Sequence, residues 1–162
     1  MGTLFMAVPK TSHAVTVVAT TAAIKTVLQV ATPSTTDIRI HGWGISCKGI
    51  VSTEAPGEVT LIDTDVAATV TALSPEKWES AFAPASLCVS GTTATGYNAS
   101  AEGTITASTI LDPQAVHPQA GYGVWFPEGR RPRVGASRFL RIRTLFGVTV
   151  NCVPWVCWEE PA

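Results

Sequence analysis

Glycine and proline punctuate this chain and limit what it can form. Thirteen glycines and eleven prolines are spread over 162 residues, and both residue types disfavour the interior of a helix. The rest of the composition favours strands, since 22 threonines and 18 valines stand against eight leucines and four lysines. Many short strands joined by glycine and proline turns are typical of an all-β sandwich or barrel.

Alternation of apolar and polar residues locates the strands. In residues 139–146, Leu140 and Ile142 fall on one face while Arg141 and Arg143 fall on the other. Eight or nine segments of this kind predict antiparallel strands in a jelly-roll-like β-sandwich, with an immunoglobulin-like sandwich as the alternative.

The N-terminal residues lack this pattern. Residues 1–23 show no clear period and contain Pro9. They are predicted to form an extended N-terminal arm, and residues 24–162 the sandwich domain.

Three further segments carry local signals. Gly42 and Gly44 interrupt a strand pattern and indicate a bulge or a close approach to the backbone. Pro154 lies inside the last predicted strand, which places it at an edge or a bulge. Residues 74–87 begin with serine and proline and predict one or two helical turns, whereas residues 89–101 are predicted to form a long loop.

Charge and hydropathy exclude several classes of protein. The formal net charge is −1, which argues against binding nucleic acid by bulk positive charge. No apolar run has the length that a membrane-spanning helix needs. The sequence therefore predicts neither nucleic acid nor membrane as a partner.

The four cysteines carry no metal signature. Cys47, Cys88, Cys152 and Cys157 form no Cys-x-x-Cys pair and fit no common zinc spacing. We expect buried thiols and no bound metal, with a Cys47–Cys88 disulfide left open.

Motifs for catalysis are absent. The glycines at 91 and 96 have the spacing of a phosphate loop, but Tyr97 and Asn98 stand where lysine and serine or threonine belong. The acid pairs Asp63/Asp65 and Glu76/Glu79 fall at a predicted turn and a predicted helical turn. We therefore expect no enzyme, no catalytic residue and no cofactor.

Opposite charges are segregated along the chain. Six of the seven arginines lie between residues 130 and 143 with no acid among them, and residues 54–79 hold six acids and one lysine. Arginine is enriched at protein interfaces, and tryptophan and arginine are frequent binding hot spots. The residues predicted to form an interface are Arg130, Arg131, Arg133, Arg141, Arg143, Trp125 and Phe126. A solvated strand face and a nucleic-acid patch are the alternatives.

Three segments resemble small structural proteins of tailed bacteriophages of actinobacteria. They are residues 28–45 (LQVATPSTTDIRIHGWGI), 86–106 (SLCVSGTTATGYNASAEGTIT) and 139–160 (FLRIRTLFGVTVNCVPWVCWEE). The resemblance implies a capsid decoration (auxiliary head) protein with a jelly-roll-like sandwich. It implies a homotrimer that binds the major capsid protein outside the shell, cements the capsomers, and is made in the bacterial cytoplasm.

Two ways of acting follow from these expectations. In one, the arginine segment of one subunit meets the acidic segment 54–79 of its neighbour around a threefold axis. In the other, the chain is a carbohydrate-binding module of a phage adhesin or fibre, with Trp43, Trp125 or Tyr97 stacking on sugar rings. A hydrolase would need two carboxylates together in a cleft.

Overall fold

The computed structural model describes residues 2–49, 55–79 and 82–161. Within these residues the chain is all-β, every strand pair is antiparallel, and no helix is present. The all-β sandwich prediction is confirmed. The jelly-roll topology stays a prediction.

The first sheet contains seven of the described strands. Its main order is β12-β6-β15-β1-β9, with β13 also paired to β6 and β4 to β15. The strands are β1 (Thr3–Ala7), β4 (Val18–Ala19), β6 (Ile38–Cys47), β9 (Glu76–Lys77), β12 (Tyr122–Trp125), β13 (Arg133–Val134) and β15 (Asn151–Glu160).

The second sheet contains six described strands in the order β11-β7-β14-β5-β10-β8. They are β5 (Lys25–Ala31), β7 (Gly57–Thr64), β8 (Thr69–Ala72), β10 (Gly96–Ala101), β11 (Ser108–Val116) and β14 (Phe139–Leu145). A separate hairpin pairs β2 (Lys10–Thr11) with β3 (Ala14–Val15).

The core lies between the two sheets. Alternate residues of β6, β14 and β15 turn inward, among them Ile40, Ile142 and Trp158, each with at most 1% of its surface exposed. Burial of apolar surface at about 25 cal/mol per Å² is the main force that holds such a sandwich together. The inward side of the first sheet therefore belongs to the core, whereas its outward side does not.

The N-terminal segment departs from the expected arm. β1 pairs with β15 on one side and with β9 on the other, and Phe5 and Ala7 are buried in the core. The arm prediction for residues 1–23 is therefore wrong over Thr3–Ala7. A strand of five residues is too short to display its period, and its pairing with β15 spans almost the whole chain.

The expected helical turn is absent as well. Within 74–79 and 82–87, the described parts of that segment, the backbone forms no helix, and β9 pairs there with β1. The main-chain groups along the free edge of β1 find partners in β9, which a short helix would not supply.

Pro154 occupies a gap rather than a free edge. On the side of β15 away from β6, β4 pairs with Asn151 and Cys152, and β1 pairs from Val156 onward. Pro154 lies between these two neighbours, where the missing N–H breaks no ladder bond.

Candidate functional site

The arginine segment is largely neutralised by acids of its own chain. Arg133 Nε donates to Asp37 Oδ2 at 2.6 Å, and Arg138 Nε donates to Asp63 Oδ1 at 2.8 Å. Arg131 Nη1 lies 3.8 Å from Glu159 Oε2. These pairs reduce the charge that the segment could offer to a neighbouring subunit. Glu54, one of the acids of the predicted partner segment, lies outside the described residues.

Arg141 is the clearest departure from the predicted interface. Its side chain is fully buried, and its guanidinium donates to the carbonyl oxygens of Glu102, at 2.9 Å, and Val66. Burial lowers the pKa of Arg141, and the nearby Glu102 carboxylate opposes that shift. A side chain without exposed surface cannot contact another subunit, so the interface prediction is wrong for Arg141.

Glu102 covers part of the outer side of the second sheet. Its carboxylate accepts hydrogen bonds from Thr26 N at 2.5 Å and Thr26 Oγ1 at 2.6 Å, and lies 3.9 Å from Arg143 Nε. Beside it, Asp65 accepts from the backbone N–H groups of Thr106 and Ala107 and from the Thr106 hydroxyl. Those bonds lower the pKa of Asp65 to about 2. Asp63 and Asp65 thus have structural contacts rather than a shared cleft.

The outer side of the first sheet carries a track of glycines under aromatic rings. A Cβ atom at Gly42 would come within 2.7 Å of the Trp125 ring, and one at Gly44 within 2.5 Å of Trp155 Nε1. The close approach predicted for these two glycines is present, and it involves the indole rings and the carbonyl oxygens of Val124 and Tyr122. A larger residue at either position would displace the ring above it.

Three tryptophans form a row on this side. The ring centroids of Trp125 and Trp155 are 5.2 Å apart, and those of Trp78 and Trp125 are 6.0 Å apart. Trp125 is 55% exposed and Trp78 49%. Trp78 and Trp155 lie outside the predicted interface. Trp155 faces outward because it is three residues from the inward-facing Trp158 in β15.

The indole N–H groups divide the five tryptophans into two sets. In the core, Trp43 Nε1 donates to Asp112 Oδ2 at 2.9 Å, and Trp158 Nε1 donates to Glu160 Oε1 at 3.0 Å. Within the described residues, no acceptor faces the indole N–H of the three outer tryptophans. A buried tryptophan normally has a hydrogen-bond acceptor for this N–H group. The exposed tryptophans of the outer set could donate theirs to a ligand.

A charged recess adjoins the aromatic row. Its volume is about 620 Å³, and it is lined by Leu4, the arginines 39, 131 and 133, His41, and the glutamates 79, 128 and 159. Glu79 follows Trp78 in the chain, and Glu128 lies three residues after Trp125. His41 lines the recess, and the next residue of β6, Gly42, lies under Trp125, so the row and the recess adjoin on the outer side of the first sheet.

Glu159 organises the recess. Its carboxylate accepts from Gly2 N at 2.8 Å and lies 3.0 Å from His41 Nε2. These contacts, led by the His41 hydrogen bond, hold the pKa of Glu159 below its usual value. In the described part of the chain, Arg39, Glu79 and Glu128 form no ion pair, which leaves their charged groups for a ligand.

The other predicted aromatic residues do not belong to the tryptophan row. Trp43, proposed to stack on sugars, is 0% exposed and belongs to the core. Tyr97 and Phe126 are partly buried against the core. Trp125 alone of the predicted stacking residues is exposed on the outer side.

Asp112 ties the two sheets together at one edge. It accepts from Trp43 Nε1 and, at 2.9 Å, from the Tyr122 hydroxyl. Burial and the nearby Asp112 carboxylate raise the pKa of Tyr122 to about 12. These two hydrogen bonds give Asp112 a structural role at the edge of the sandwich.

Apolar side chains are exposed at the end of the sandwich opposite the recess. Leu4 pairs with Glu159 at the recess, whereas Ala7 pairs with Val156, so the chain leaves β1 away from it. The β2–β3 hairpin and the neighbouring loops follow at that end. They expose Val15, Val17, Ile24 and Val148.

The cysteines are free thiols in the structure. The Cys47–Cys88 disulfide is not formed, and Cys152 faces Cys47 across the β6–β15 pair. Burial raises the pKa of Cys152 to about 12 and that of Cys157 to about 11.

Among residues 2–49, 55–79 and 82–161, no cluster of three histidine, cysteine or acidic side chains could hold a metal ion. No helix in these ranges is long and apolar enough to cross a membrane.

Comparison with protein-family models, with curated protein sequences and with solved structures finds no match to this chain.

Proposed function

We propose that this chain is a decoration protein that coats the outside of a bacteriophage head and cements its capsomers. The observation that carries the proposal is the apolar end of the sandwich, where Val15, Val17, Ile24 and Val148 are each 36–51% exposed. We take these four side chains as one contact surface, since an exposed apolar patch on a small domain marks a site of protein contact. The resemblance of three segments to phage structural proteins supplies the partner, the major capsid protein.

The mechanism would be stabilisation by selective binding. A protein that binds only the assembled shell stabilises that state by mass action. The β2–β3 hairpin takes the place of the expected arm as the element that projects towards the shell. The homotrimer and its position on the virion exterior remain predictions, with Arg130, Arg131 and Arg133 as candidate contacts between subunits.

Co-sedimentation with phage heads that lack this protein tests the attachment. We expect the chain to pellet with the heads and the Val15→Asp variant to remain mostly in the supernatant. Leu87→Asp is the matched control, because Val15 is 51% exposed and Leu87 49%, and Leu87 N donates to Glu160 near the recess. The control variant should bind as the wild type does.

Virion stability gives the second readout. Heads without the protein should lose DNA at a lower temperature than complete heads. Equal heat survival, or a chain that never pellets with heads, would contradict the proposal.

A further inference from the structure

We propose that the outer side of the first sheet binds a neutral oligosaccharide, with the Trp125 and Trp155 indoles as a stacking platform and the adjoining recess as the site for hydroxyl groups. This inference is independent of shell attachment, because the platform and the apolar end use different residues. The glycine track places the rings. It makes the platform part of the fold rather than a set of mobile side chains.

The platform suits flat pyranose rings. A sugar with equatorial hydroxyls presents a face of C–H bonds, which packs against the face of an indole. The Trp125 and Trp155 rings lie 5.2 Å apart with an angle of 35° between their planes, so neighbouring rings of an extended saccharide could meet these two indoles. Trp78 contacts Trp125 edge-on, at 6.0 Å and 61°, and therefore lies beside the platform. Axial hydroxyls or a curved chain would break these contacts.

The hydrogen-bonding groups suit the same ligand. The indole N–H groups of Trp78 and Trp125 donate no hydrogen bond within the described residues, and hydroxyl oxygens are acceptors. In the recess, the unpaired guanidinium of Arg39 can donate two parallel bonds and the carboxylates of Glu79 and Glu128 can accept. Neighbouring hydroxyls on a pyranose can satisfy both types of group.

The balance of charge favours a neutral sugar over an acidic one. The recess is lined by three arginines, Arg39, Arg131 and Arg133, and by three glutamates, so these six formal charges cancel. Its volume of about 620 Å³ is that of a small-molecule site, which occupies about 300–1,000 Å³.

Rings that are already in place before binding lower the entropy cost of binding. Trp125 rests on Gly42 and Trp155 on Gly44, so the platform exists without the ligand. Side chains that are already ordered lose less conformational entropy on association.

The test measures binding of the full chain to three soluble tetrasaccharides by calorimetry. Cellotetraose and chitotetraose are extended and carry equatorial substituents, whereas maltotetraose is curved. We expect binding to at least one of the extended sugars and weaker binding to maltotetraose. The Trp125→Ala and Trp155→Ala variants should each bind about tenfold more weakly or worse, as truncated hot spots do.

Controls separate this proposal from a general loss of structure and from shell attachment. Val15→Asp should bind the sugars as the wild type does. Arg39→Ala is the second variant, for use where a tryptophan variant folds poorly. Arg39 is exposed and forms no ion pair within the described residues. Its replacement should therefore weaken sugar binding without lowering the melting temperature.

Three results would overturn the inference. They are no binding to either extended sugar, unchanged affinity in both Trp125→Ala and Arg39→Ala, and loss of head co-sedimentation in Trp125→Ala without sugar binding by the wild type. The last would assign this side to a protein partner.

Discussion

Tryptophans lie on both sides of the first sheet, but their surroundings differ. On the inner side, Trp43 and Trp158 are buried and each donates its indole N–H to a carboxylate. On the outer side, Trp78, Trp125 and Trp155 pack against one another in a row whose N–H groups meet no acceptor in the described residues. Burial together with a satisfied donor distinguishes tryptophans that hold the fold from those able to bind a ligand.

The outer side of the second sheet sharpens this contrast. There Glu102, Arg141 and Asp65 join the loops to the sheet and leave Arg141 without exposed surface. The chain's own polar groups cover Arg141 on that side, although Ile110 stays exposed there. The outer side of the first sheet instead presents three tryptophans beside a recess of about 620 Å³. We therefore place the proposed ligand on the outer side of the first sheet, the open side.

The largest expected effect comes from removing a tryptophan from each side. Trp43→Ala should lower the free energy of unfolding by about 3–5 kcal/mol, because it leaves a cavity and removes a donor from Asp112. Trp125→Ala should cost less than about 1 kcal/mol, as expected for an exposed side chain. Denaturant unfolding of both variants measures the difference. Equal losses would erase the distinction between the two sides.

A smaller effect is expected from filling the glycine track. Gly42→Ala should destabilise the fold by about 1–3 kcal/mol, because the new methyl group would overlap both the Trp125 ring and the Val124 carbonyl oxygen, each 2.7 Å away. Gly123→Ala is the matched control, since its methyl would lie 3.6 Å from the Trp155 ring, an ordinary contact. Thermal unfolding of the two variants should separate them; equal melting temperatures would show that Trp125 does not rest on Gly42.

The smallest effect concerns acid stability of the recess. The pKa of Glu159 is lower in the folded chain than its usual value of 4.5, chiefly because His41 hydrogen-bonds the carboxylate. The unfolded chain therefore binds the proton more readily, so this contribution to stability is present above pH 4.5 and is lost as the pH falls through the folded pKa. The Glu159→Gln variant should show a weaker dependence of the unfolding free energy on pH over that interval. An unchanged profile would contradict the Glu159–His41 contact.

The strand content could be predicted because it depends on local pattern. β14 and β15 lie where alternation places them, and Leu140 and Ile142 turn inward as expected. β10 departs from the predicted loop over residues 89–101, because Gly96–Ala101 form a strand only through pairing with β5 and β8.

The candidate site could be predicted only in part, because it is assembled from distant segments. The sequence predicts Trp125, but its neighbours Trp78 and Trp155 follow β9 and lie in β15, and no local pattern brings them together. The prediction for Arg141 is wrong for a related reason. The polar face of its strand is covered by Glu102 and Val66, which lie far from it in sequence.

The indole N–H resonances test the central claim most directly, because each of the five tryptophans reports separately in a nitrogen–proton correlation spectrum. On titration with chitotetraose or cellotetraose, the signals of Trp78, Trp125 and Trp155 should move while those of Trp43 and Trp158 stay in place. Five stationary signals, or shifts confined to the two core tryptophans, would contradict the assignment of the open side as the binding surface.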